Sequence, residues 1–81
     1  MYVAAIHEVS NPELFWGGQL DLPQGTELSV AVPSDDGRRG VCIFKSSSVD
    51  TVREVVDGAT SAISKNEFYA VDAANTLGLP A

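Results

Sequence analysis

The 81-residue chain is poor in the residues that cross-link small proteins or attract nucleic acid. A single cysteine excludes a disulfide framework, and a single histidine without a Cys-x-x-Cys pair excludes the common zinc-finger patterns. Five basic residues stand against eleven acidic ones, and the net charge of −6 repels phosphate backbones and anionic membrane surfaces. We therefore expect neither nucleic acid nor a membrane among the partners.

Long apolar runs and targeting signals are also lacking. No stretch approaches the length of a membrane span, and the opening MYVAAIHEV has no basic segment and meets Glu8 too early for a signal peptide. A lone cysteine fits a reducing compartment. These features predict a cytoplasmic protein.

The length indicates one domain over residues 1–81, and a core of that size buries a modest share of the surface. Because disulfides cannot add stability, a bound metal or a second copy of the chain would have to do so. We expect a homodimer.

Hydrophobic periodicity and turn signals predict six elements in the order β-α-β-β-α-β. The first helix follows an Asn-Pro start and is stopped or loosened at Gly17-Gly18, and the second follows a serine cap, with Ser47 and Asp50 as a capping box. This order is that of the split βαβ, ferredoxin-like sandwich, an α+β fold with both helices on one face of a four-stranded antiparallel sheet. Strands are expected at 2–9, 26–33, 40–45 and about 67–72, and helices at 12–18 and 49–58, the second of which either ends at Gly58 or continues to Ile63.

Asp36-Gly37 is the strongest hairpin signal in the chain and predicts the register of the second and third strands. Paired residues share a face of the sheet, so two sets of side chains follow from the turn. We expect the more apolar set to lie under the helices and the other set to lie open, where a second copy packs against it, as in dimeric α+β barrels. The set expected under the helices is Val30, Val32, Val41 and Ile43; the set expected to be open is Ser29, Ala31, Cys42 and Phe44.

The block PSDDGRRGVCIFKSSSVDTVR at 33–53 resembles the equivalent block of a family of small uncharacterised bacterial proteins, one of which is nickel-binding and nickel-responsive. The ending NEFYAVDA…GLP matches more loosely. The resemblance implies a ferredoxin-like α+β barrel that forms dimers, and nickel as a possible ligand. The positions that carry it are Asp35, Cys42, Ile43, Phe44, Ser48, Asp50 and Arg53.

The candidate site residues are few. His7 and Cys42 are the residues whose side chains suit a borderline metal such as nickel. His7, Trp16, Phe44 and Tyr69 are candidates for a ligand pocket, and Trp16 stands beside a glycine pair that would let it move over a cavity. For His7, Cys42 and the aromatic residues, packing in the core or at an interface is the simpler interpretation.

Two function classes remain open. One is a dimeric module that binds a small ligand or a divalent metal, with nickel as the metal that the resemblance suggests. The other is a small α+β-barrel enzyme, isomerase-like or monooxygenase-like, in which His7 acts as general base on a small hydrophobic substrate. Fold class does not choose between them, because one fold hosts many functions.

Overall fold

The computed structural model describes residues 1–78, which form one four-stranded antiparallel sheet and two helices. The order across the sheet is β2-β3-β1-β4, so the two strands that flank the sheet centre are β3 and β1. The predicted α+β class is confirmed. The elements are β1 (Tyr2–Val9), α1 (Pro12–Gly17), β2 (Glu27–Pro33), β3 (Arg39–Lys45), α2 (Val49–Thr60) and β4 (Ser64–Ala70).

Capping side chains start both helices. The Asn11 side chain accepts a hydrogen bond from the backbone N–H of Leu14 at 3.1 Å, as the Asn-Pro signal predicts. For α2 the cap is Ser48, whose Oγ accepts from Thr51 N at 3.1 Å, so the prediction of Ser47 was wrong by one residue. Neighbouring serines present the same hydroxyl, and sequence alone does not distinguish them.

The β2–β3 hairpin has the predicted register next to the turn. Val30 pairs with Ile43 and Val32 with Val41, and Gly37 takes the left-handed conformation, with φ of 72°. Further from the turn, a bulge at Ser29 moves the partner of Phe44 from the predicted Ser29 to Leu28.

The prediction of which sheet face is covered was wrong. Phe44 and Cys42 are buried in the core beneath Val52 and Val56 of α2, whereas Val32 is 57% exposed. Alternation in a hairpin determines which residues share a face, but not which face the helices cover. Here β1 adds Val3 and Ala5 to the Cys42 side, and small residues beside Phe44 leave room for the helices.

Both helices therefore lie on the same side of the sheet. The opposite side, which neither helix covers, is called the open face below. It presents apolar and charged side chains at the registers that the strand pairing defines. Its apolar members are Ile6, Val30, Val32, Val41, Ile43 and Tyr69, with the fully buried Ala4 among them, and its charged members are Glu8, Glu27, Arg39, Lys45, Lys65 and Glu67.

The fourth strand begins at Ser64, earlier than the predicted residue 67, because Val9 pairs with Ser64 and extends the ladder. Between residues 1 and 78, no helix is long and apolar enough to cross a membrane. Residues 79–81 lie outside the described part of the chain, and with them the last two residues of the GLP ending and the end of the predicted 1–81 domain.

Candidate functional site

His7 lies in the middle of β1, on the face that the helices cover, and only 2% of it is exposed. Strand pairing places it between Gly40 of β3 and Asn66 of β4. The Phe15 ring of α1 lies over it with centroids 4.9 Å apart, and the Trp16 ring is 6.2 Å away. A buried imidazole is thus packed against two aromatic rings on the covered face of the sheet.

One nitrogen of this imidazole is held by a chain of hydrogen bonds. His7 Nδ1 lies 2.6 Å from Asn66 Oδ1, and Asn66 Nδ2 donates to Asp57 Oδ1 at 2.9 Å and to Thr60 Oγ1 at 3.1 Å. An ionised carboxylate only accepts hydrogen bonds, so Asp57 requires the NH2 end of the Asn66 amide. The amide oxygen then faces His7, and Nδ1 must be the nitrogen that carries the proton.

The other nitrogen, Nε2, has no hydrogen-bond partner among residues 1–78, and no other buried side-chain nitrogen or oxygen in that range shares this condition. Burial lowers the pKa of His7 below its usual value, while the Asn66 hydrogen bond and the Asp57 charge act in the opposite direction. The ring is therefore neutral near pH 7. A buried acceptor without a partner is costly, and such atoms in native proteins call for an explanation.

A cleft of about 220 Å³ opens beside this histidine, between α1, α2 and the sheet. Its walls are mainly apolar, and two of the predicted site residues, Cys42 and Phe44, form its floor. The groups that line it also include Leu14, Phe15, Trp16, Leu20, Leu28, Ala31, Val56, Ala59, Thr60 and Ile63.

Trp16 forms a fixed wall of the cleft. Its Nε1 donates a hydrogen bond to the carbonyl oxygen of Gly37 at 2.7 Å, and its six-membered ring lies against Gly40. The helix ends at Gly17, as predicted, but the indole is tied to the hairpin, which argues against the predicted freedom to move over a cavity.

The structure brings four of the predicted residues together around the cleft: His7, Trp16, Cys42 and Phe44. Tyr69 is not among them. It pairs with Ala4 on the open face and is 52% exposed, on the other side of the sheet from the histidine.

Sequence reasoning missed Asn66, Asp57 and Thr60, the residues that orient the histidine. Asn66 reaches His7 only because the two are cross-strand partners in the β1–β4 ladder. The register of the fourth strand could have identified Asn66: a strand that starts at Ser64, opposite Val9, places Asn66 opposite His7. Asp57 and Thr60 are brought there by the docking of α2.

His7 and Cys42, the predicted metal pair, both line the cleft. Within residues 1–78 no group of three or more His, Cys, Asp or Glu side chains is placed to hold a metal ion. Burial raises the pKa of Cys42 to about 11, which keeps the thiol protonated, whereas metals bind the thiolate. A metal role for His7 and Cys42 stays a prediction, and it would need further ligands.

A larger depression of about 640 Å³ lies at the hairpin end of the sheet, between Glu8, Arg38 and Lys65. Its lining is mostly exposed and polar, and such groups are satisfied by water. The histidine that carries the buried unpartnered atom lines the smaller cleft, which is why we take that cleft as the candidate site.

Comparisons of the chain with protein-family models, with curated protein sequences and with solved structures give no match. The resemblance of residues 33–53 to the nickel-responsive family stays a prediction. Any function therefore has to be inferred from the geometry of this chain.

Proposed function

We propose that this protein binds a small, mostly apolar molecule in the cleft beside α1, and that His7 Nε2 accepts a hydrogen bond from it. The observation that supports this is the buried, unpartnered Nε2 of a histidine that lines a cleft with mainly apolar walls. A few polar groups in an apolar pocket are typical of small-molecule sites, whose volumes run from about 300 to 1,000 Å³ for drug-sized ligands. A cleft of about 220 Å³ suits a smaller molecule.

The chain carries its own reporter for this binding. Trp16 is the only tryptophan and it lines the cleft, so its fluorescence should respond to an occupant. We expect small phenols and alcohols to shift the emission saturably and to raise the melting temperature. The variant His7→Leu should lose most of the response, whereas Gln24→Ala, in an exposed loop, should retain it. If no compound in such a panel produced a saturable shift, the proposal would be wrong.

The second candidate is catalysis, with His7 as general base on a small hydrophobic substrate, in an isomerase-like or monooxygenase-like reaction. The observation that favours it is the chain from Nδ1 through Asn66 to Asp57, which orients an unprotonated Nε2. Deuterium exchange at an acidic C–H of a bound ligand, followed by NMR in D₂O, would separate a base from a simple acceptor. Exchange should then disappear in His7→Leu.

Binding of a divalent metal, nickel in particular, is the less supported form of the same module. It predicts that Ni²⁺, Zn²⁺ or Co²⁺ raises the melting temperature and that both His7→Leu and Cys42→Ala abolish the increase. An unchanged melting temperature with all three ions would contradict the hypothesis that the protein binds a metal.

We also propose that the chain forms a homodimer through the open face, in the manner of a ferredoxin-like dimeric α+β barrel. The element order β-α-β-β-α-β supports the ferredoxin-like assignment. The open face leaves large apolar side chains in water, with Val41 40% and Val32 57% exposed. Contiguous apolar patches of this kind mark interaction sites.

The distribution of charge supports a second copy as the occupant of this face. Of the five basic and eleven acidic residues in the chain, three of each lie on the open face, so the remaining two basic and eight acidic residues carry the whole net charge of −6. Asp72 borders this face beside Val30 and Tyr69, so two copies can approach through a surface of net charge about −1 while most of the charge of −6 lies elsewhere. The six open-face charges are Arg39, Lys45, Lys65, Glu8, Glu27 and Glu67.

A cytoplasmic location belongs to the same proposal. Cys42 is an unpaired thiol buried in the core, and a reducing compartment would keep it so.

A further inference from the structure

The Asn66 side chain is held in one orientation by its neighbours. Its oxygen faces His7 Nδ1 and also accepts from Ser64 Oγ at 3.1 Å, and its nitrogen donates to Asp57 and Thr60. Turning the amide over would place its oxygen against the Asp57 carboxylate and its NH2 against His7. The carboxylate therefore determines the orientation of the amide, and the amide determines which imidazole nitrogen carries the proton.

Most other buried polar groups of the cleft already have partners. The Thr60 hydroxyl donates to Val56 O at 2.7 Å and accepts from Asn66 Nδ2 at 3.1 Å, and the Trp16 N–H donates to Gly37 O. What remains for a buried ligand is the weakly donating thiol of Cys42 and the lone pair of His7 Nε2, which is a strong acceptor.

We propose that Asn66 is the positioning residue that keeps the proton of His7 on Nδ1, and that the cleft for this reason selects small apolar molecules with one hydrogen-bond donor. Alcohols, phenols and N–H heterocycles have that chemistry. Ethers and hydrocarbons of the same shape leave Nε2 unpaired, as it is in the free protein, so they lack a hydrogen bond that is worth about ten-fold in affinity. The ligand class rests on the proposed function, whereas the role of Asn66 can be tested without a ligand.

The first experiment is long-range ¹H–¹⁵N NMR of the imidazole. Since His7 is the only histidine, the spectrum holds one pair of ring nitrogens and needs no assignment by mutation. We expect a protonated Nδ1 and an unprotonated Nε2 in the wild-type chain. A proton on Nε2 in the wild type would overturn the role of Asn66.

Variants then test whether Asn66 acts through its amide. Asn66→Ala should leave a mixture of tautomers, while Asn75→Ala, an asparagine in the exposed C-terminal stretch, should leave the spectrum unchanged. The double variant Asp57→Asn with Asn66→Asp exchanges donor and acceptor and still presents an oxygen to Nδ1, so it should restore the Nδ1–H form. If Asn66→Ala kept the wild-type tautomer, Asn66 would be a packing residue only.

The second experiment compares phenol with toluene by Trp16 fluorescence. The wild type should bind phenol about ten-fold more tightly. In Asn66→Ala the phenol preference should fall in step with the share of the Nε2–H tautomer seen by NMR while toluene affinity stays the same, a split that general loosening would not produce. Equal binding of both probes to the wild type would overturn the donor selectivity and leave the proposed function intact. If neither probe bound, the ligand class would fall together with the proposed function.

Discussion

The six-membered ring of Trp16 occupies the space that a side chain at position 40 would need. A β-carbon built on Gly40 would overlap the Cζ2 and Cη2 atoms of the indole. Together with the hydrogen bond from Nε1 to Gly37, this contact fastens α1 to the β2–β3 hairpin. The aromatic rings that cover His7 are thus anchored to the sheet through Trp16.

Gly40→Ala should destabilise the protein, because either the indole or the strand must move to admit the methyl group. We expect a loss of about 1–3 kcal/mol in the free energy of unfolding, the usual cost of forcing extra volume into a packed site. Chemical denaturation followed by Trp16 fluorescence measures it.

Gly58→Ala is the matched control for that substitution. Gly58 lies inside α2 with nothing within 4 Å of its would-be β-carbon, so alanine should stabilise the helix by about 0.5–1 kcal/mol. Adding Trp16→Leu to Gly40→Ala should cost less than the sum of the two single changes, with unfolding followed by circular dichroism because the double variant has no tryptophan. Equal stability of the two glycine variants would contradict the packing of Trp16 on Gly40.

The stability of the protein should depend on the protonation of His7. Its pKa in the folded state lies below the ordinary value of 6.5, so between those two values the unfolded chain binds more protons and stability rises with pH. Stability should be complete above about pH 6.5 and fall as the pH is lowered toward 5. The charged group that acts on the ring is Asp57, through Asn66.

Denaturation between pH 5.5 and 7.5 would test this dependence. His7→Leu has no histidine left, so its stability should change little over the same interval. The lowered pKa values of Asp36 and Asp72 take effect at more acidic pH, since their ordinary value is 3.8. A wild-type curve as flat as that of the variant would show that the imidazole is not penalised by burial.

Cys42 should be unreactive in the folded protein. Burial raises its pKa from 9.0 to about 11, which lowers the thiolate fraction near pH 8 by about 100-fold. We expect iodoacetamide to alkylate the native chain at least about 100-fold more slowly than the chain in denaturant, as followed by mass spectrometry. The alkylation rate of a small free thiol, measured in buffer and in denaturant, controls for the effect of the denaturant on the reaction. Comparable rates in the two states would mean that Cys42 is accessible.

Val41→Asp should dissociate the proposed dimer. Val41 lies near the middle of the open face, and an unpaired carboxylate there would be desolvated in a sheet-to-sheet interface. Sedimentation velocity should show the wild type at twice the chain mass and the variant at the chain mass, with unchanged circular dichroism. Gln24→Glu adds the same charge in an exposed loop and should remain dimeric. A wild type that stays monomeric at about 1 mM, where an association free energy of only about 4 kcal/mol suffices for substantial assembly, would contradict the dimer.

Much of the architecture can be predicted from the sequence, because its signals are local. Turn and cap residues such as Asn11 and Gly37, and the alternation in the hairpin, act over a few neighbours. The α+β class and the pairing of Val32 with Val41 follow from them. The bulge at Ser29 and the choice of Ser48 over Ser47 depend on small energy differences that local patterns do not resolve.

Only part of the candidate site can be predicted from the sequence. His7, Cys42 and Phe44 stand out as residue types, but their shared cleft exists because β1 and β3 pair in one register beneath α1 and α2. Asn66 has no distinguishing feature in the sequence. Its importance arises from a contact 59 residues away along the chain.

The sequence by itself determined the element order, the hairpin register and the identity of the single imidazole and single thiol. The tertiary structure decided which side of the sheet is covered, because that depends on how the helices pack on the central strands β1 and β3. It thereby moved Cys42 and Phe44 from an expected outer surface into the core and left the valines exposed. It also decided the hydrogen bonding of the His7 ring. Asn66, itself held by Asp57, binds Nδ1, and Nε2 is buried without a partner among residues 1–78.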